Sequence, residues 1–277
     1  MKFIAKTLLI FISIPLILLS MLSINIKFQF LSPGFWIKSF DEGNVYSQAS
    51  LMIESRLIER VEAEGGTKSD VKVLSNLISA PSLKTFFERN IDSILLYANG
   101  KTPEMMVYVP LTLKDALEGY DYYNLDDSSE KMTFQEFLNR FNVNGIESSD
   151  IAYISKLGLW SWVLIFSSFA LLVITFVLMY LMTSGQKRLW APSISLTLAG
   201  FIILGLSLAG DYFNRMLVAG IDGSANTGTS LLAVFAPPLM QNVTRIWLWF
   251  GISSLVFGIA LLFVKKPPVN NTLNRKK

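Results

Sequence analysis

Four acidic side chains crowd one short stretch of this chain: Asp121, Asp126, Asp127 and Glu130. Carboxylate oxygens are the ligands a calcium ion takes. In helix–loop–helix calcium sites, however, the ligands alternate along the loop and a glycine makes its sharp turn. The stretch DYYNLDDSSE has neither the alternation nor the glycine. It reads as a solvated connection, and no metal site is assigned to it.

A second group is Asp211, Arg215 and Arg245. Ionisable groups beside a bilayer are costly unless paired or wet, so they mark places to look for function. An intramembrane aspartyl protease would need a second Asp in another apolar segment, and the sequence has none. The expected arrangement is an ion pair at helical spacing between Asp211 and Arg215, with Arg245 placed to share it.

A third group is made of small and hydroxyl residues inside apolar segments. Ser161, Ser168 and Thr175 recur every seventh position. Ser193, Thr197, Gly200 and Ser207 share one helical face, and Gly251, Ser254 and Gly258 share another. Small side chains let membrane helices approach closely, so these faces are expected to pack. A polar transport path is the alternative, but no charge or broken helix stands beside the hydroxyls.

The chain has no Cys and no His. That removes thiol nucleophiles, thiolate metal sites, imidazole bases and the Ser-His-Asp triad together. No catalytic, cofactor-binding or metal-ligating residue is assigned, no cofactor is expected, and the chain is read as a non-enzyme. Asn242-Val243-Thr244 matches a glycosylation acceptor, which matters only in a eukaryotic secretory pathway.

The elements that must position these residues are set by composition. Of 277 residues 52% are hydrophobic and 16% charged, against roughly 25% charged in an average soluble domain. The apolar residues fall into four runs. The first, Phe3 to Ile26, follows Lys2 and contains Lys6; it reads as an uncleaved anchor rather than a signal peptide, because no A-x-A-like site lies near Ser20 and Ser23. The others are Leu157 to Met182, Pro192 to Gly210 and Ile246 to Val264, and none of these three contains Asp, Glu, Lys or Arg. Trp160, Trp162, Tyr180, Trp190, Trp247 and Trp249 stand at their ends, where amphipathic rings favour the headgroup level.

Basic residues set the expected orientation. Lys2, Lys6, Lys187, Arg188 and five cations of the tail (Lys265, Lys266, Arg275, Lys276, Lys277) give nine positive and no negative side chains on one side. By the positive-inside rule that side is cytoplasmic. From Ile24 to Lys156 the chain carries 13 Lys/Arg and 19 Asp/Glu, a net of −6, as suits an exterior segment. The basic tail is accounted for by anionic lipid, and no nucleic-acid partner is expected.

The expected fold is an all-α membrane protein: four transmembrane helices, with a mainly helical extracytoplasmic domain inserted between helices 1 and 2. Residues 1–26 form the anchor and residues 27–156 the extracytoplasmic domain. Residues 157–277 form a three-helix transmembrane domain with an outer loop 211–245 and a cytoplasmic tail 265–277. In the exported domain Ser32-Pro33 opens a short helix that Gly43 closes. Asn44 to Glu64 follows, with an apolar stripe through Tyr46, Ala49, Ile53, Leu57 and Val61. Helices over Asp70 to Ser79 and Ser82 to Ala98 come next, the latter capped by Gly100. Glu104 to Leu111 reads as a short strand or an extended crossing, and Pro110 argues against a central strand. Thr112-x-x-Asp115 is an approximate capping box and Thr133-x-x-Glu136 the fuller version, and Ile151 to Leu159 is expected to run into the second span. Ile221 to Ser230 reads as a flexible outer loop, with Pro237-Pro238 starting or kinking an interfacial helix that bears Leu231, Leu232, Val234, Phe235 and Leu239.

The stretches LSPGFWIKSFDEGNVY (Leu31 to Tyr46) and LLYANGKTPEMMVYVPLTLKDAL (Leu95 to Leu117) carry a resemblance. With the layout of spans, they resemble a group of bacterial four-span membrane proteins that have an N-terminal anchor and an exported helical domain. The resemblance implies the architecture and brings no activity or site residues. The function expected from the residues is an envelope interaction, sensing or scaffolding protein. Its partners would be the lipid bilayer, an envelope protein through residues 27–156, and a second copy through the small-residue helix faces. A transporter or channel subunit is the alternative, and a carboxylate-based envelope enzyme a further one.

Overall fold

The computed structural model describes residues 2–63, 79–110, 129–140, 148–183, 188–221 and 227–264. The expected helix at Asp70, the Thr112 capping box, Asp121, Asp126, Asp127, Lys187 and the basic tail lie outside the described residues.

The chain is mostly helical. In order it forms α1 (Lys2–Asn25), a π-helical turn (Ile26–Phe30), α2 (Pro33–Glu42), α3 (Val45–Ala63), α4 (Ala80–Ala98), β1 (Met106–Pro110) and β2 (Ser129–Thr133). Then come α5 (Phe134–Arg140), α6 (Ser148–Ile154), α7 (Leu157–Met182), α8 (Trp190–Ile221) and α9 (Thr227–Phe263). Four helices are long and apolar enough to cross a membrane, within Ile4–Phe30, Leu157–Met182, Trp190–Met216 and Ala233–Phe263. Each exceeds the twenty or so apolar residues that a bilayer core requires. The chain is a multi-pass membrane protein by this count.

Two compact units form. One holds residues 1–23, 164–209 and 244–277; the other holds 24–163 and 210–243. We call them the span unit and the polar unit.

In the polar unit, α2 begins with Ser32 in extended conformation and Pro33 at the first helical position, where the missing N–H costs nothing. The residue after α2 that takes a left-handed turn is Asn44, with φ 51°, not Gly43. Gly43 has a different reason to lack a side chain: a methyl group there would overlap the Pro238 ring. The stripe read on α3 is buried at Tyr46 and Ala49, beside Val45, and half-buried at Ile53, while the side chains of Leu57 and Val61 lie outside the described residues. Helix α4 ends at Gly100, whose φ of +68° is the left-handed cap expected of it.

The all-helical expectation needs one amendment. β1 and β2 pair antiparallel, with Tyr108 opposite Lys131 and Pro110 opposite Ser129. Pro110 sits at the strand's last position, where a missing donor is tolerated. The free edge of β1 is closed by α4. The Asn90 side chain accepts from Tyr108 N–H at 3.0 Å and donates to Tyr108 C=O at 3.0 Å, acting as a short extra strand. Ser93 Oγ donates to Met106 C=O at 2.8 Å. These side chains take up the polar backbone groups that an edge strand leaves unpaired.

The Thr133 box is formed in both directions: Thr133 N–H donates to the Glu136 carboxylate at 2.7 Å, and Glu136 N–H to Thr133 Oγ1 at 3.2 Å. Between α6 and α7, a two-residue turn at Ser155-Lys156 interrupts what the sequence reads as one helix.

The outer loop 211–245 is corrected. α8 continues to Ile221 and α9 begins at Thr227, so most of that stretch is helical. Hydropathy falls past Gly210, but nothing there breaks a helix, and the Asp211–Arg215 pair at i,i+4 supports the added turns. Pro237 and Pro238 lie inside α9 rather than at its start.

Candidate functional site

In the span unit, α8 and α9 run antiparallel and meet through the small faces read from the sequence. Ser193 Oγ donates to Gly258 C=O at 2.5 Å, Ser254 Oγ to Leu196 C=O at 2.8 Å and Ser207 Oγ to Thr244 C=O at 2.8 Å. The three bonds fall along the whole contact in one register. Glycines make it possible. A Cβ on Gly258 would come within 2.6 Å of Thr197 Oγ1, and one on Gly200 within 2.8 Å of Leu255 Cγ. In lipid no hydrophobic force draws helices together, so close backbone approach and interhelical hydrogen bonds supply the association. The hydroxyls of Ser168 and Thr175 on α7 are also buried, and they donate to their own helix at Ile165 and Leu171 C=O. These polar groups are consumed by packing.

In the polar unit a second polar node forms around Asn99, which follows α4. Its amide donates to Leu31 C=O at 2.8 Å and to Leu95 C=O at 2.7 Å, and its Oδ1 accepts from Lys27 Nζ at 2.8 Å. Lys27 lies in the π turn, closed by the Leu31 N–H to Ile26 C=O bond at 2.9 Å. Its ammonium stands 5.4 Å above the Trp162 ring, and Phe28 meets the same ring edge-on at 5.9 Å. Gly158 on α7 is bare because a side chain there would strike Asn99 Cα at 2.6 Å. One amide thus ties the end of α4 to the π turn beside the first turns of α7.

The third feature is an aromatic cluster under an ion triad. Phe40, Val45 and Tyr46 are buried against Trp36, Phe87, Val234, Phe235 and Leu239. Phe40 and Phe235 meet edge-on at 5.2 Å, and Phe87 meets Phe235 at 5.1 Å. Such pairs contribute about 0.5–1.5 kcal/mol each beyond area burial. Above the cluster, Lys84 Nζ holds Asp41 at 2.7 Å and Glu88 at 3.7 Å and lies 5.9 Å from the Tyr46 ring. The ammonium's pKa is raised, first by its hydrogen bond to Asp41. Tyr46 is 5% exposed, and its hydroxyl has no partner among the described residues. Burial, with the nearby Glu88 and Asp41 charges, pushes its pKa up to about 12. A phenol held neutral in this way is neither nucleophile nor base at neutral pH; it is a donor.

Sequence reasoning placed Val234, Phe235 and Leu239 in the lipid interface. Instead they complete this cluster, because Pro238 seated over Gly43 brings their helix against α2. Asn242 was a glycosylation acceptor by motif. Its amide is committed to α2, donating to Ser39 Oγ at 2.9 Å and Glu42 at 3.3 Å. Asp211 and Arg215 form the expected pair at 2.9 Å, and Arg245 is exposed on α9. The acidic stretch at 121–127 lies outside the described residues. Among the described residues no group of His, Cys, Asp or Glu could hold a metal ion. Asn90, Asn99 and Lys27 were missed: a lone amide in a helix carries no periodic signal, although the Asn-Gly pair at 99–100 marks the turn that Asn99 stabilises.

No family model, curated protein or solved structure matches this chain.

Proposed function

We propose that this is a multi-pass protein of a bacterial plasma membrane, with both termini in the cytoplasm and residues 27–156 outside. In this reading the outside domain receives an envelope protein and the spans anchor it and relay its state. Helix α9 carries the reading. Its first half supplies Val234, Phe235 and Leu239 to the aromatic cluster of α2, α3 and α4. Its second half supplies Gly251, Ser254 and Gly258 to the contact with α8. A partner that moves α2 to α4 therefore acts on a helix that is itself a span, which is the physical continuity a relay needs. Leu51 on α3 is 67% exposed and offers such a partner an apolar foothold.

The cysteine-free chain makes the test direct. A Glu59→Cys variant of the full chain should be labelled on intact cells by a membrane-impermeant maleimide, and a Lys276→Cys variant only after lysis. The opposite pattern would overturn the orientation. A photo-crosslinking residue at Leu51 should then yield one adduct of defined mass in cells, where one at Trp249 yields none. Equal or absent adducts at both positions would overturn the interaction reading.

A further inference from the structure

In the span unit, where α7, α8 and α9 come together, a groove of about 330 Å³ opens on the unit's surface. Its walls are apolar and include Val173, Val177, Tyr180, Pro192, Leu196 and Phe257. Tyr180 also links the groove to a cation. The Arg188 guanidinium stacks 5.2 Å from the Tyr180 ring and Nη1 approaches the hydroxyl at 3.4 Å. The Nε of Arg188 is buried with no hydrogen-bond partner among the described residues.

No Asp or Glu side chain of this unit stands opposite that cation. The stretches 1–23, 164–209 and 244–277 contain ten Lys/Arg and no Asp or Glu. A guanidinium is a planar fork of donors matched to phosphate oxygens. The groove is apolar and open at the side, a surface that suits an acyl chain rather than a polar metabolite. Trp190, half exposed and two residues from Arg188, is of the residue type that favours headgroup depth.

We propose that this groove is a binding site for an anionic glycerophospholipid, its phosphate on Arg188 and one acyl chain along Val173, Val177, Leu196 and Phe257. The occupant joins both features: a zwitterionic lipid fills the groove but brings its own cation to offset the phosphate that faces Arg188, and a free phosphate answers the guanidinium without filling the groove. The site is independent of what the polar unit binds.

The test uses the purified, delipidated full chain in detergent, with phosphatidylglycerol and phosphatidylcholine of identical acyl chains, read by native mass spectrometry. Wild type should retain phosphatidylglycerol about fivefold over phosphatidylcholine, the preference expected of one basic group at a lipid surface. Arg188→Gln should bring the two to parity and Arg188→Lys should keep part of the preference. Arg215→Gln, an exposed arginine elsewhere, should leave it intact. Equal retention by wild type, or an unchanged preference in Arg188→Gln, overturns the proposal. Should Arg188→Gln fail to fold, wild type alone decides. A phosphatidylglycerol with a photoactivatable acyl chain should leave adducts on residues 173–180, 192–196 and 257–261. Adducts spread evenly over the spans, or crosslinks to a second copy at these residues, overturn it as well.

Discussion

Ser193 on α8 and Gly258 on α9 share a hydrogen bond of 2.5 Å from a side-chain hydroxyl to a backbone carbonyl, at a point where neither helix leaves room for another atom. Ser193 is fully buried, and a Cβ on Gly258 would also meet its carbonyl at 3.1 Å. Two effects, a polar bond and a close approach, coincide here and are separable by mutation. Ser193→Ala removes the bond alone and should destabilise the folded chain in detergent by about 0.5–1.5 kcal/mol. Gly258→Leu forces the helices apart and should cost about 1–3 kcal/mol. Unfolding in mixed micelles measures both, and a Ser193→Ala cost above that of Gly258→Leu would reverse the assignment of which effect dominates.

Asn90 should be the least replaceable polar residue among the described residues of the polar unit. It satisfies both backbone groups of Tyr108, and its loss orphans them at a buried edge. Asn90→Ala should cost about 2 kcal/mol or more, since each unmade buried group costs roughly 1–3 kcal/mol. Amide exchange at Tyr108 N–H should quicken while exchange in α7 stays slow. Unchanged protection at Tyr108 would show that the strand edge is held by other means.

Tyr46 gives a prediction at high pH. The ordinary phenol value is 10.0 and the folded value is about 12, so between these the unfolded chain has lost a proton that the folded chain keeps. The unfolded state therefore binds fewer protons, and stability falls as pH rises through that window. Tyr46→Phe should flatten the decline there. At neutral pH it should be near neutral or mildly stabilising, because the hydroxyl it removes has no partner among the described residues. A loss of stability at pH 7 in the Phe variant would reveal a partner for that hydroxyl.

Glu136 gives the matching prediction on the acid side. Its hydrogen bonds to Thr133, backbone first and then hydroxyl, hold its carboxyl below the usual range. The cap's contribution is therefore present above the ordinary carboxylate value and lost as pH falls through the lowered one. NMR titration of the Glu136 side chain should place its midpoint below the ordinary glutamate value of 4.5. Replacing the hydroxyl in Thr133→Ala should raise the midpoint part of the way back. No movement in that variant would assign the shift wholly to the backbone donor.

Much of this molecule was legible in the sequence because it is periodic. Small residues recurring on one helical face announced the α8–α9 contact, and Thr133 with Glu136 announced a cap that is formed atom for atom. What escaped was set by single long-range partners. β2 is the polar run SEKMT, which has no strand pattern of its own, and its partner strand is held from behind by Asn90. The turns of α8 and α9 beyond the apolar runs escaped because hydropathy reports the bilayer and not the backbone. Gly43 was read as a helix terminator for its conformational freedom, while its use is to make room for a proline nearly 200 residues away. The features that join the elements, Asn99, Lys27 and the Phe235 contact, depend on tertiary packing that no local pattern encodes.

Of the four apolar helices, the third has the largest covered share of its crossing stretch, 33% against 11–17% in the others, and its hydroxyls donate to carbonyls of the helix made directly after it. During synthesis α8 emerges before the carbonyls of Gly258 and Thr244 exist. Until they appear, Ser193 and Ser207 face hydrocarbon or the protein-conducting channel with only their own helix to bond. The pair is therefore expected to leave the channel together as a hairpin, and a long insertion at 222–226 that delays the second helix should lower the yield of inserted protein without altering a single contact of the finished fold.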